Sequence, residues 1–213
     1  MQEIPGFQEA DYTVIVADGT FPQHDIPLGY LAGAKRIVCC DGSAESLVLN
    51  GLEPDAIVGD LDSLTDEMAV RFADRIYLDE SQETNDLTKA VTWCGEMGYK
   101  EIIIVGATGK REDHTIGNIS LLAEYVREMN VIMVTDTGIF IPFLKNCTIH
   151  SYPGQQVSIF SIDPDTEVTS GGLRYPLKKT KISNWWFATL NESTGESFSL
   201  EFEGRIIVYL KFR

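Results

Sequence analysis

Two carboxylates one residue apart, Asp60 and Asp62, lie in the run Gly59-Asp60-Leu61-Asp62-Ser63. Neighbouring hard oxygen ligands on a tight loop suit Mg2+, which takes carboxylates, waters and substrate phosphates. Such a pair also repels itself unless something positive lies between the two groups. The apolar run Ala56-Ile57-Val58 in front predicts a buried strand, and Thr65 to Phe72 behind has helical spacing. The pair is therefore expected on a turn at the C-terminal end of a strand, the edge where open α/β sheets bind ligands. A plain turn fits the same residues, with Ser63 and Asp66 as an S-x-x-D capping box for the next helix.

A second candidate is the stretch from Gly106 to His114, which holds Gly109, Lys110, Arg111 and Asp113. It follows an apolar run and precedes a helical pattern, a place where backbone N–H groups can cradle phosphate. Only two residues separate its glycines, so it is not a Walker A loop. Lys110 and Arg111 concentrate positive charge, and the Arg111 fork can take two phosphate oxygens.

The elements that must position these groups alternate. Residues 13–17, 36–40, 56–58, 75–78, 101–105 and 131–134 predict six strands. Helices are expected over Leu28–Ala34, Ala44–Asn50 and Thr65–Phe72. A further helix carries Leu87, Ala90, Val91, Cys94 and Met97 on one face, and another carries Ile116, Ile119, Leu122, Ala123 and Val126. Thr84 or Asn85 can cap the first of these two. Such alternation implies a parallel sheet. Polar turns then follow four strands, at 41–43, 59–63, 79–86 and 106–114, and converge if those strand ends share one edge. From about residue 138 the pattern changes to alternating runs at 147–152, 156–162, 198–202 and 206–212, separated by turn residues. The expected fold is an N-terminal parallel-sheet α/β domain, residues 1–137, followed by an antiparallel β-sandwich-like domain, residues 138–213. The boundary falls near 136–146.

Composition narrows the partners. The 213 residues carry a formal net charge of −15, so nucleic acid and anionic membrane are not expected partners. An anionic nucleotide would need metal ions and local cations to enter. The four cysteines show no C-x-x-C pairing, and the three histidines are scattered, which argues for free thiols in a reducing cytoplasm and against zinc. No basic-then-apolar leader pattern is seen at the N-terminus, and no apolar run reaches membrane-spanning length.

Taken together, these motifs resemble the thiamin pyrophosphokinase family. Asp41-Gly42-Ser43 is similar to its DGG turn and Gly59–Ser63 to its GDxDS signature. Residues 82–90 (QETNDLTKA) are similar to its Q-D-x-T-D-x-T-K region, and residues 109–114 (GKREDH) to its G-G-R-x-D-H loop. Ile182-Ser183-Asn184 is similar to a Ser-Asn motif of its C-terminal β domain. Ser43, Glu83, Asn85, Lys110 and Ile182 depart from the family's usual residues. The resemblance implies transfer of the pyrophosphoryl group of the co-substrate ATP to the hydroxyl of thiamin, with Mg2+, in a homodimer. It implies Asp60, Asp62 and Asp86 as metal ligands and Arg111 as the group that meets developing charge. Asp41, Lys89, Gly109, Lys110 and Asp113 would shape the nucleotide site, and Gln82, Ser183 and Asn184 would meet thiamin.

Two other classes fit parts of the pattern. A metal-dependent nucleotide-sugar transferase could use Asp60-x-Asp62 but would not require Arg111-x-Asp113-His114. A non-catalytic thiamin or nucleotide sensor would tolerate loss of a metal carboxylate, yet Asp60, Asp62 and Asp86 are all present. In Ser183-Asn184-Trp185-Trp186-Phe187, a strand would send Trp185 and Phe187 to one side and Trp186 to the other.

Overall fold

A computed structural model describes residues 11–213. The first ten residues of the expected N-terminal domain, and the terminus read for a leader, lie outside them. Two compact units emerge. One comprises residues 11–121 and 128–136, and the other residues 122–127 and 137–213.

From Thr13 to Val134 strand and helix alternate: β1 (Thr13–Val16), α1 (Asp25–Gly33), β2 (Arg36–Cys40), α2 (Ser43–Leu49), β3 (Ala56–Gly59), α3 (Asp66–Arg71), β4 (Ile76–Leu78), α4 (Asp86–Glu96), β5 (Glu101–Val105), α5 (Glu112–Tyr125) and β6 (Asn130–Val134), all within the first unit save residues 122–125 of α5. All six strands are parallel, in the order β6-β5-β1-β2-β3-β4. Val14, Ile15 and Val16 are all buried, as are Ile102 to Val105. Consecutive burial means that both faces of the sheet are covered, which is why these strands read as unbroken apolar runs. Because the strands are parallel, their C-terminal turns share one edge, and the expected convergence is realised. The order reverses direction between β1 and β5, so the crevice for a ligand opens there.

Local differences have local causes. Helix α1 starts at Asp25, three residues earlier than expected, because Pro27 falls in its first turn, where a missing N–H costs nothing. The His24 ring nitrogen caps it by accepting from Ile26 N at 3.2 Å. The expected Ser63–Asp66 capping box does not form: Thr65 Oγ1 caps α3, and Ser63 Oγ donates instead to Asp62 at 2.9 Å. In α4, Leu87, Ala90, Val91 and Cys94 are buried as the spacing predicts, with Asn85 as the cap, but Met97 beyond its last turn is exposed. In α5 the buried stripe is Leu122, Ala123 and Tyr125, and Ile116 is exposed.

The second unit is antiparallel. Its strands are β7 (Gly138–Phe143), β8 (Cys147–His150), β9 (Gln156–Ser161), β10 (Glu167–Gly171), β11 (Thr180–Lys181), β12 (Asn191–Glu192), β13 (Ser197–Glu201) and β14 (Ile206–Lys211). They form two sets, β12-β9-β14-β7 and β11-β10-β13-β8. Val157 and Ile159 of β9, and Phe198 and Leu200 of β13, are buried at alternate positions. Strand β7, which contains Pro142, lies across the boundary expected near 136–146. Arg205 fastens the strand ends, donating from its backbone N, Nε and Nη2 to the Asp163 carboxylate. The interaction holds the Asp163 carboxyl below its ordinary range. Among the described residues, no helix is long and apolar enough to cross a membrane.

Candidate active site

The turns after β2 and β3 and the start of α4 bring three carboxylates together. One oxygen from each of Asp41, Asp60 and Asp86 lies within 4.8 Å of the others. Asp41 follows β2 with φ +39°, and Leu61, between Asp60 and Asp62, has φ +67°. Non-glycine residues in this region carry local strain, which clusters at functional sites. Gly59 lets the group close up: a Cβ there would stand 3.0 Å from Asp41 Cβ and 3.4 Å from Asp86 Oδ1. Gly59→Ala should therefore spread the carboxylates and cost about 1–3 kcal/mol by overpacking. The expected result is a lower Tm together with weaker Mn2+ binding by calorimetry; unchanged Mn2+ affinity would refute the packing argument.

The electrostatics of the three differ. Asp41 is 2% exposed. Its Oδ2 accepts from Ser63 N at 3.1 Å, while Oδ1 is buried with no hydrogen-bond partner. Burial pushes its carboxyl up to about 6, with Asp86 and Asp62 adding to the rise and the Ser63 N–H opposing it. Asp60 goes the other way, held below the ordinary range chiefly by the Lys89 ammonium. Lys89 Nζ reaches Asp60 Oδ2 at 3.2 Å and Asp86 Oδ1 at 3.0 Å, with its side chain 2% exposed. Burial works against that positive charge, but the two carboxylates outweigh it and the ammonium is held more firmly than usual. An all-carboxylate donor set with one orphaned buried oxygen suits a hard divalent cation such as Mg2+.

A cleft of about 300 Å³ opens beside this cluster, lined by the turns after β1 and β5 and by α4 and α5. Gly109, at φ +93°, lets the β5–α5 loop press on Thr20: a Cβ there would meet Thr20 Oγ1 at 2.5 Å. Lys110 Nζ pairs with Asp18 Oδ1 at 2.9 Å. Arg111 places Nε and Nη2 on Asp113, 3.1 Å and 2.6 Å from its two carboxylate oxygens, and holds that carboxyl near 2. Both cations therefore line the cleft with a carboxylate already attached.

The structure thus gathers Asp41, Asp60, Asp86 and Lys89 at one point, and sets Lys110, Arg111 and Asp113 on the neighbouring loop. Asp62 lies outside the three-carboxylate group, exposed and held by Ser63 Oγ. Asp41, expected in the nucleotide pocket, belongs to the carboxylate group. Gln82, expected at thiamin, donates from Nε2 to Asp60 Oδ2 at 3.2 Å. Asn85, a departure from the family residue, caps α4 and donates to Asn118 Oδ1 at 3.1 Å. Glu83 is exposed.

Ser183 and Asn184 are exposed in the second unit. The aromatic run after them forms a turn and not a strand, with Phe187 N bonded to Asn184 O at 3.1 Å. Trp185 donates to Ser161 O at 3.2 Å and packs on Phe160, while Trp186 and Phe187 are 68% and 48% exposed.

Sequence reasoning missed the Asp18-Gly19-Thr20 turn after β1. Gly19 N bonds Gly106 O at 2.6 Å and Thr20 N bonds Thr108 O at 2.8 Å, which ties this turn to the phosphate-type loop. An Asp-Gly pair directly behind the first apolar run was the available signal. His114, Thr115 and Asn118 also line the cleft. Asn118, four residues beyond His114, shares its helix face and could have been flagged from it.

Comparison with known proteins agrees with this geometry. Residues 29–134 match the family model for the thiamin pyrophosphokinase catalytic domain, and residues 138–209 that for the thiamin pyrophosphokinase substrate-binding domain. Thiamine pyrophosphokinase 1 of Oryza sativa subsp. japonica is 30% identical over 205 residues, covering 82% of this chain and 76% of that protein. The thiamine pyrophosphokinase of Bacillus subtilis (strain 168) is 30% identical over 180 residues, covering 79% and 83%. The crystal structure of thiamin pyrophosphokinase from Geobacillus thermodenitrificans superposes with a TM-score of 0.77 at 26% identity, covering 95% of this chain and 98% of that one. Yeast thiamin pyrophosphokinase, at 17% identity and a TM-score of 0.78, shares the fold. With both domain models matched across most of the chain and the carboxylate group and cationic loop on one sheet edge, the chain belongs to the thiamin pyrophosphokinase family.

Proposed function

We propose that this chain transfers the pyrophosphoryl group of ATP to the hydroxyl of thiamin, giving thiamin diphosphate and AMP. In that step the thiamin oxygen gives up its proton to a carboxylate of the site or to water and bonds to the β-phosphorus, and the bond from that phosphorus to the bridging oxygen of AMP breaks. The reacting centre is ringed by negative oxygens, so positioning and charge neutralisation carry most of the rate. The observation that supports this reading best is the convergence on one edge of Asp41, Asp60 and Asp86 with the Lys110–Arg111 loop.

Asp41, Asp60 and Asp86 would hold Mg2+, with Asp62 supplying a further carboxylate from the same turn. The ion, when bound, neutralises phosphate charge. Arg111 would turn its fork from Asp113 to the phosphate oxygens, and Lys110 would leave Asp18 for the same purpose; Lys89, Gly109 and Asp113 complete the nucleotide contacts. Gln82 would orient both Asp60 and thiamin. Ser183 and Asn184 would meet thiamin, and the exposed Trp186 and Phe187 beside them support a homodimer surface. The unpaired cysteines support a cytoplasmic location. A nucleotide-sugar transferase is not favoured, since both domain models are those of thiamin pyrophosphokinases.

Incubation with ATP, Mg2+ and thiamin should yield AMP and thiamin diphosphate in equal amounts. Formation of ADP and thiamin monophosphate, or no thiamin-dependent AMP, would sink the assignment. Sedimentation of the same sample reads the stoichiometry, and an active monomer removes the dimer.

A further inference from the structure

Lys89 is held more tightly than a phosphate ligand needs to be. Its side chain is buried along α4, and its ammonium rests on the two least buried of the three gathered carboxylates. Asp60 Oδ2 accepts from both Lys89 Nζ and Gln82 Nε2, each at 3.2 Å. Its other oxygen faces Asp62 N at 3.4 Å. A carboxylate oxygen offers about two lone-pair directions, so Oδ2 is fully used. A metal bond there must expel a donor. The neutral amide of Gln82 has no net repulsion from a divalent cation, whereas the ammonium does.

We infer that the Lys89 ammonium and a divalent cation compete for Asp60 Oδ2 and Asp86 Oδ1, so that metal binding releases Lys89 toward the bound phosphates. This rests on reading the three carboxylates as the metal centre. Without metal, Lys89 is the counter-ion that lets Asp60 and Asp86 approach each other. Asp41 is left out of that balance, with its Oδ1 unpaired and no cation of its own. When metal arrives, the buried stem keeps the ammonium close by. The charge that had neutralised two carboxylates then faces the anion brought in by the metal. Lys89 is thus a positioning residue in one state and a phosphate partner in the other.

Two measurements on the full chain test this. In the first, Mn2+ affinity without nucleotide is read by electron paramagnetic resonance for wild type, Lys89→Met and Lys89→Arg. Lys89→Met should bind Mn2+ at least tenfold more tightly than wild type. It should melt lower than wild type in EDTA and close that gap at saturating Mn2+. Lys89→Arg, which keeps the charge, should stay within about threefold of wild type in Mn2+ affinity. Equal or weaker Mn2+ binding by Lys89→Met overturns the inference while leaving the metal centre intact. If wild type itself binds no Mn2+, with or without ATP, the metal centre and the inference fall together.

The second measurement needs no variant and covers the case in which Lys89→Met does not fold. Side-chain ammonium NMR of 15N-lysine-labelled wild type should show the protected Lys89 resonance moving on titration with Mg2+, and moving again with a non-hydrolysable ATP analogue. A resonance unmoved at saturating Mg2+ refutes the exchange.

Discussion

Asp60→Asn should lower turnover about a hundredfold or more while the Tm changes by only a few degrees. The substitution keeps size, turn tendency and the acceptor for Gln82, and removes one full charge from the group that also contains Asp41 and Asp86. Stability is expected to survive because Lys89 retains Asp86 at 3.0 Å. Turnover falls because the charge neutralisation that this carboxylate would support acts at the phosphates in the transition state. The KM for thiamin should move little, since the lost group does not grip that substrate. Steady-state kinetics in excess Mg2+ decide it, and a variant with near-wild-type kcat would show that Asp60 only shapes a turn.

Asp41→Asn should raise the Tm of metal-free protein by several degrees and abolish most activity. Burial lifts this carboxyl from an ordinary value near 4 to about 6, so its ionised form costs the fold on the order of 3 kcal/mol. The sign follows from the direction of the shift. A folded-state value above the unfolded one makes the native chain bind its proton more tightly. The penalty is therefore absent below about pH 4, grows between about pH 4 and 6, and is fully present above. The Tm advantage of Asp41→Asn should thus be largest at pH 7 to 8 and fade toward pH 4. Saturating Mg2+ should erase it by stabilising wild type alone. Melting curves across that pH range provide the check. A variant that melts lower than wild type at pH 8 in EDTA would mean that the buried oxygen is satisfied in solution. The stability given up at Asp41 is consistent with a site shaped for a cation, since function here runs against the stability of the isolated fold.

How much of this was legible beforehand depended on range. Five of the six parallel strands were readable because they are buried on both faces and so appear as largely apolar runs, Thr13–Val16 and Glu101–Val105 among them, whereas the edge strand β4 is partly exposed. The Asp60–Asp62 turn was readable because its residues are adjacent. Membership of Asp41 in the carboxylate group was not, since it depends on β2 and β3 pairing so that Cys40 lies beside Val58. The contacts of the Lys89 ammonium were hidden for a similar reason: the spacing of Leu87, Ala90 and Val91 gives the buried face of α4 but not that Asp60, from the turn after β3, meets Lys89 there. Strand β7 fell in the segment read as a boundary, and its pairing with β14 identifies it as a strand. At 183–187 the sequence left strand and turn open, and the Asn184–Phe187 hydrogen bond closes a turn.

The two cations of the β5–α5 loop, each leaning on its own carboxylate, bear on how an acidic protein meets dissolved anions. Lys110 with Asp18 and Arg111 with Asp113 are exposed pairs, and such pairs add little to stability. They are cheap to part, yet while they last the loop shows little net field to the surrounding liquid. Free polyphosphates and nucleic acids, which find their hosts through long-range attraction, meet a chain of net charge −15 with its basic groups masked. A nucleotide that arrives with its own metal brings less negative charge and can trade partners at close range. Selection between polyanions thereby combines repulsion at a distance, which added salt weakens, with an exchange of partners at contact.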